Sequence, residues 1–130
     1  MMMNKYKSKK AQADGIVFDS RKEARRWLEL KQMEKYRLIS DLKRQVKYTL
    51  IPSQYEESSE VYIKGAKKGQ KKPGKLIEKE CAYIADFAYK KGLETIVEDV
   101  KGYRGGGAYA VFVIKRKLML ERYGIRVKEV

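Results

Sequence analysis

The 130-residue chain contains no histidine, one cysteine (Cys81) and two prolines, and each scarcity removes a class of chemistry. Without histidine there is no Cys/His zinc site, no histidine-based nuclease and no Ser-His or Cys-His nucleophile. Any catalysis must then run on carboxylates, lysine and metal-activated water. A lone cysteine excludes an internal disulfide and fits a reducing compartment. No apolar run approaches the roughly 18 residues of a membrane span. Residues 1–10 place no apolar segment behind their charges, so neither a spanning helix nor a secretory signal is expected.

Acids are also in short supply: Asp+Glu 17 stand against Lys+Arg 31, a net of +14 and a pI near 9.8. Such an excess attracts polyanions, with nucleic acid the commonest partner of a small basic protein. A ribosome-like structural role and a membrane-surface role are the plainer alternatives. With 43% hydrophobic and 37% charged residues, the composition is that of a folded globule, and the length predicts one domain over residues 1–130.

Residues 1–14 read as a basic arm carrying Lys5, Lys7, Lys9 and Lys10; a solvated tail explains it as well as phosphate contact does. Residues 15–18 are a short extended piece. Asp19-Ser20 then opens a helix to about Tyr36, with Ser20 and Glu23 at capping-box spacing and Ala24, Trp27, Leu28 and Leu30 as the apolar stripe. Glu23 lies on the side of Trp27 and Leu30, either as a plain capping residue or as an acid lent to a site elsewhere.

Residues 37–43 read as a polar connector, and residues 45–51 as a first strand stopped by Pro52. Residues 60–63 read as a short strand. Residues 64–75 form a flexible turn with six lysines, Lys67, Lys68, Lys71 and Lys72 among them, a phosphate-contacting flap or a solvated hairpin tip. Two strands come next, over about 76–89 and 94–101. Gly102-Tyr-Arg-Gly-Gly-Gly107 reads as a mobile loop beside the site, since its glycines lack the spacing of nucleotide-binding fingerprints. Residues 108–123 read as a helix closed by Gly124, and residues 125–130 as a last strand. The expected fold class is α/β: a small mixed central sheet flanked by helices, in the order α-β-β-β-α-β.

Acid and base sit on the two middle strands where apolar side chains are usual. By alternation Ala82, Ile84, Asp86 and Ala88 share one face, as do Thr95, Val97, Asp99 and Lys101. Burying a lone carboxylate costs several kcal/mol unless it is paired or bound to a metal. A metal site therefore competes with a buried Asp86–Lys101 ion pair.

This order, with an acid on one core strand and an acid-x-lysine on the next, resembles the PD-(D/E)XK nuclease superfamily. The chain has three acid-x-lysine triplets, Glu29-Leu-Lys31, Asp41-Leu-Lys43 and Asp99-Val-Lys101; only the last ends an apolar strand with a second acid on the strand before it. The resemblance implies that Asp86 and Asp99 are metal ligands and Lys101 the lysine, with Ala85 in place of the proline that names the motif. Glu23 is similar to the first-helix glutamate of archaeal Holliday-junction resolvases, which implies a third acid at the metal. More narrowly, Lys5-Tyr-Lys-Ser-Lys-Lys10, Asp14-Gly-Ile-Val-Phe-Asp-Ser-Arg-Lys-Glu-Ala24 and Tyr83-Ile-Ala-Asp-Phe87 look like a family of small bacteriophage proteins of unassigned function.

The resemblance implies a Mg2+- or Mn2+-dependent endodeoxyribonuclease selective for branched or junction DNA. Its implied setting is the bacterial host cytoplasm, as a phage-encoded homodimer with no membrane partner and no small-molecule cofactor. Two carboxylates supply the hard oxygen donors such cations prefer, and Lys101 could hold or deprotonate a water or stabilise transition-state charge. Lys7, Lys9, Lys10, Lys67, Lys68, Lys71, Lys72, Arg104 and Lys115 are the expected nucleic-acid contacts. The competing expectation is an inactive nuclease-like module that binds nucleic acid or docks in a phage assembly. Sequence-specific restriction-type cleavage has no visible recognition domain in a chain of this length.

Overall fold

The computed structural model describes residues 10–130; Lys5, Lys7 and Lys9 of the expected arm lie outside the described residues. The elements are β1 (Ala11–Ala13), β2 (Ile16–Phe18), α1 (Arg21–Lys35), β3 (Ser40–Ile51), β4 (Gln54–Tyr55), β5 (Leu76–Glu78), β6 (Cys81–Lys91), β7 (Glu94–Asp99), α2 (Gly106–Tyr123) and β8 (Lys128–Glu129). The described residues form two compact units: residues 10–48 with 83–130, and residues 49–82.

In the first unit β1 and β2 pair as an antiparallel hairpin. Asp14 and Gly15 join them at φ 50 and 74, the left-handed pair that a two-residue Asp-Gly turn adopts. The arm expected over residues 1–14 is thereby corrected: its last residues are a strand and a turn. Ser20 caps α1 by accepting the Glu23 N–H at 3.1 Å. The buried stripe of α1 is Glu23, Ala24, Trp27 and Leu30. Leu28, expected in the stripe, is 46% exposed, because its neighbour Trp27 fills the core and 100° per residue turns Leu28 away.

A four-stranded sheet runs in the order β3-β6-β7-β8, with β6 and β7 antiparallel and β7 and β8 parallel. The order α-β-β-β-α-β expected from the sequence is that of α1, β3, β6, β7, α2 and β8. Several boundaries differ. Helix α2 begins at Gly106, inside the loop expected over residues 102–107, and β7 ends at Asp99, two residues short of the expected strand. The polar connector of residues 37–43 already belongs to β3 from Ser40 onward. The strand expected over residues 76–89 is two strands, β5 and β6. The last strand shortens to two residues because only the end of β7 faces it.

The core gathers Phe18, Ala24, Trp27, Leu30, Ile39, Phe87 and Tyr89, with Trp27 tilted against Phe18 and stacked on Phe87 at centroid distances of 6.0 and 6.1 Å. Each large apolar side chain buried here contributes about 1.5–3 kcal/mol. On β6 the buried residues are Tyr83, Ala85, Phe87 and Tyr89 on one face and Ala88 on the other, while Ile84 is 55% exposed. The aromatic row takes the core, so Asp86, expected in a buried apolar row, is half-buried at its margin.

The second unit holds the antiparallel pair β4–β5 and a lysine-bearing hairpin. The strand expected over residues 60–63 is reduced to one bridge between Val61 and Lys71. Gly74 packs so closely that a Cβ there would sit 2.3 Å from the Glu56 carbonyl oxygen.

Candidate functional site

The β6–β7 register pairs Phe87 with Glu98; one step further it sets Asp86 opposite Asp99. Two backbone bonds extend the parallel pairing past β7, Val130 N–H to Asp99 O at 2.9 Å and Lys101 N–H to Val130 O at 2.8 Å, so the Asp99-Val100-Lys101 triplet is held along its length. Between the strands, the Val100 N–H donates to Asp86 Oδ2 at 2.8 Å. Asp99 is 8% exposed and has both oxygens engaged: Tyr83 Oη donates to Oδ2 at 2.6 Å, and Lys101 Nζ stands 2.8 Å from Oδ1. The ion pair of Lys101 is therefore with Asp99, in place of the Asp86 pairing. Its ammonium also lies 3.3 Å from the Phe112 ring centroid, where the face of the ring favours a cation.

Glu23 is 4% exposed. In a complete capping box its carboxylate would return to the Ser20 N–H; here Oε1 instead accepts from Gln45 Nε2, at 3.4 Å. Burial, with the Asp86 charge next, pushes the Glu23 carboxyl up to about 7. Burial also pushes Asp86 up to about 6, against the Val100 N–H and with Asp99 adding to the rise. Arg44 is among the main charges acting on Glu23, and Lys101 among those acting on Asp86. Glu23, Asp86 and Asp99 thus form a row of mutually repelling acids with a cation associated with each end.

Carboxylates are the donor type for a hard divalent cation, and the repulsion left between them is what such an ion would relieve. Even so, among the described residues no three or more His, Cys, Asp or Glu side chains are gathered into a group that could hold a metal. Asp86 and Asp99 are a partial ligand set, and Glu23 reaches them through charge rather than through a closed cluster.

Sequence reasoning missed four members of this neighbourhood. Asp19 raises both Glu23 and Asp86; its place four residues before Glu23, across the helix start, was the readable signal. Tyr83 and Gln45 carried none. Arg44 lies with its guanidinium 4.9 Å from the Phe18 ring centroid, and its Nε is buried without a partner among the described residues. Glu98, fully buried, has a different job. Arg26 donates Nε and Nη2 to its two oxygens at 2.7 and 2.6 Å, and Tyr89 Oη donates to it as well. Burial alone would raise its pKa, but Arg26 and Tyr89 outweigh that and hold it below the usual range.

A family described as protein of unknown function (DUF1064) matches residues 3–129. The chain belongs to that family. No curated protein and no solved structure matches it. In this DUF1064 chain the expected nucleic-acid contacts fall in both units. Lys10 is exposed. Arg104 stands 3.5 Å from Glu129, and Lys115 is half-buried on α2. Lys67, Lys68 and Lys71 are exposed and Lys72 half-buried in residues 49–82, where Lys67 and Lys72 lie 5.8 and 5.7 Å from the Tyr62 ring centroid. No helix is long and apolar enough to cross a membrane among the described residues.

Proposed function

We propose that this chain is a divalent-cation-dependent endonuclease acting on DNA, selective for branched substrates and working as a homodimer. The observation that carries the reading is the acid row itself. Asp86 and Asp99 face each other across two paired strands, and Lys101 is held against Asp99. Hydrolysis of a phosphodiester needs a nucleophilic water and stabilisation of charge on the phosphoryl oxygens. A magnesium or manganese ion held by Asp86 and Asp99 would supply Lewis-acid polarisation of the phosphate and activation of the water.

The chain's own residues do the rest. Val100 N–H fixes Asp86, and Tyr83 Oη fixes Asp99. Lys101 Nζ has donors beyond its bond to Asp99, which would serve charge developing on a phosphoryl oxygen. Glu23, with a pKa near 7, is suited to take or return a proton near neutral pH.

A second reading is a module that binds nucleic acid or joins a phage assembly without cutting, favoured by the lack of a closed three-ligand group among the described residues. One panel separates them: four-way junction, flap, single-stranded and linear duplex DNA, each with magnesium or EDTA. The nuclease reading expects magnesium-dependent products, strongest on branched DNA and lost in Asp86→Ala. Binding without products on any substrate favours the module.

A further inference from the structure

The proposed reaction leaves unused a depression of about 360 Å³, a size that accommodates a small polar group or part of a larger ligand. Lys22, Arg25, Arg26 and Glu29 of α1 and Lys128 of β8 line it, and Val100 and Val130 complete its wall. Four cationic side chains therefore share one concavity with a single acidic one, and that acid is already taken: Glu29 Oε2 lies 2.9 Å from Arg26 Nη1. Arg26 spends its remaining fork on buried Glu98, and Lys22 Nζ donates to the Lys101 carbonyl at 2.5 Å. The side chains of Arg25 and Lys128 are exposed and make no hydrogen bond or ion pair among the described residues.

Like charges converging in a cleft raise the local concentration of anions. The lining contains no aromatic side chain, so it offers phosphate contacts without a platform on which a base could stack. Val100 belongs both to this depression and to the acid row, donating its N–H to Asp86. One residue thus connects the two.

We infer that this depression receives a phosphodiester group of the nucleic-acid strand, next to the one held at the acid row, with Arg25 and Lys128, which form no ion pair of their own among the described residues, as its cations. The contact positions the strand without reading its sequence, as phosphate contacts do. This rests on the reading of the substrate as nucleic acid, though not on hydrolysis.

The test measures binding of the full chain to a labelled linear DNA duplex in EDTA across a salt series. The variant is Arg25→Ala with Lys128→Ala. Its comparator is Lys117→Ala with Arg122→Ala, which removes the same charge from α2. The site variant should bind at least about tenfold more weakly and lower the log–log salt slope by about 0.9, the amount for the one phosphate no longer neutralised. The comparator should change affinity less than threefold. Should alanine unfold the chain, Arg25→Gln with Lys128→Gln repeats the comparison. Equal losses in both pairs overturn the inference, as does a site variant that loses binding of inorganic phosphate or a mononucleotide while keeping the duplex. A chain that binds DNA but cuts none leaves this result standing and refutes only the nuclease reading.

Discussion

The backbone N–H of Val100 donates to Oδ2 of Asp86 at 2.8 Å, so the residue between Asp99 and Lys101 is clamped to the acid on the neighbouring strand. The clamp needs an acceptor oxygen, whereas a cation needs the charge, and one substitution separates the two. Asp86→Asn keeps the oxygen and removes the charge. It should fold with a melting temperature at or above that of the parent in EDTA, and lose any stabilisation that magnesium gives the parent by binding the native state. Any magnesium-dependent cleavage should fall by on the order of 100-fold or more. Magnesium stabilising Asp86→Asn as much as the parent would exclude Asp86 as a ligand.

The raised carboxyls fix a pH dependence. Asp86 titrates near 6 and Glu23 near 7 when folded, against ordinary values of 3.8 and 4.5. Between about pH 4 and 7 the unfolded chain releases protons that the folded chain holds, so stability falls as pH rises. Their contribution is fully present below about 4 and lost through 6 to 7. Glu98 acts oppositely, since its pKa is lowered: its contribution is present above the unfolded value and lost on acidification. Melting in EDTA should therefore drop from pH 5 to 7.5, and Glu23→Gln should flatten that drop. A Glu23→Gln profile parallel to the parent's would show that Glu23 titrates normally.

Lys101 is held from two sides, by Asp99 Oδ1 at 2.8 Å and by the face of Phe112. Lys101→Met keeps the stem over that ring and deletes the ammonium. Turnover should fall by about 10²- to 10⁴-fold, the usual worth of a positioned proton-transfer or charge-stabilising group, with DNA affinity in EDTA changed less than threefold. Equal losses in binding and turnover would reassign the lysine to substrate binding.

The legible parts were those set by local chemistry. Ser20 and Gly124 marked helix ends through their caps, and the triplet at Asp99 stood out because an acid and a base finish an apolar strand. Asp14-Gly15 was an equally local hairpin signal, obscured by the lysines before it. The illegible parts depend on long-range partners. Alternation could not say which face of β6 the core would choose, because Trp27, 60 positions before Phe87, decides it. Likewise Glu98 and Asp99 are adjacent acids of the same strand, and only the three-dimensional pairing with Arg26 or Tyr83 separates a structural carboxylate from a candidate ligand.

That distinction is testable at Arg26. Removing its guanidinium by Arg26→Ala leaves Glu98, fully buried, without its bidentate partner, a change that typically costs about 3–5 kcal/mol. Urea unfolding should register that loss, and Arg26→Met with Glu98→Leu should recover much of it, since an apolar pair of similar volume needs no charge compensation. A loss under about 1 kcal/mol in Arg26→Ala would mean that Tyr89 alone satisfies the acid.

In residues 49–82 the lysines sit on a backbone with defined geometry. Tyr62 N–H bonds Gln70 O at 3.0 Å, Gly69 N–H bonds Tyr62 O at 2.8 Å, and Lys72 N–H bonds Glu60 O at 2.9 Å. Lys67 and Lys72 stand over the Tyr62 ring, so at least these two are ordered before any ligand arrives and lose less freedom on binding than solvated side chains would. If they grip phosphates, Lys67, Lys68, Lys71 and Lys72 all changed to Gln should lower the salt slope of DNA binding by up to about 3.6, at 0.9 per phosphate. Tyr62→Leu, which keeps every charge, should weaken binding severalfold with little change in slope, because it frees the two ammonium groups without removing them. A quadruple variant with the parent's slope would leave the lysines as solvated charge and assign the DNA contacts to residues 10–48 and 83–130.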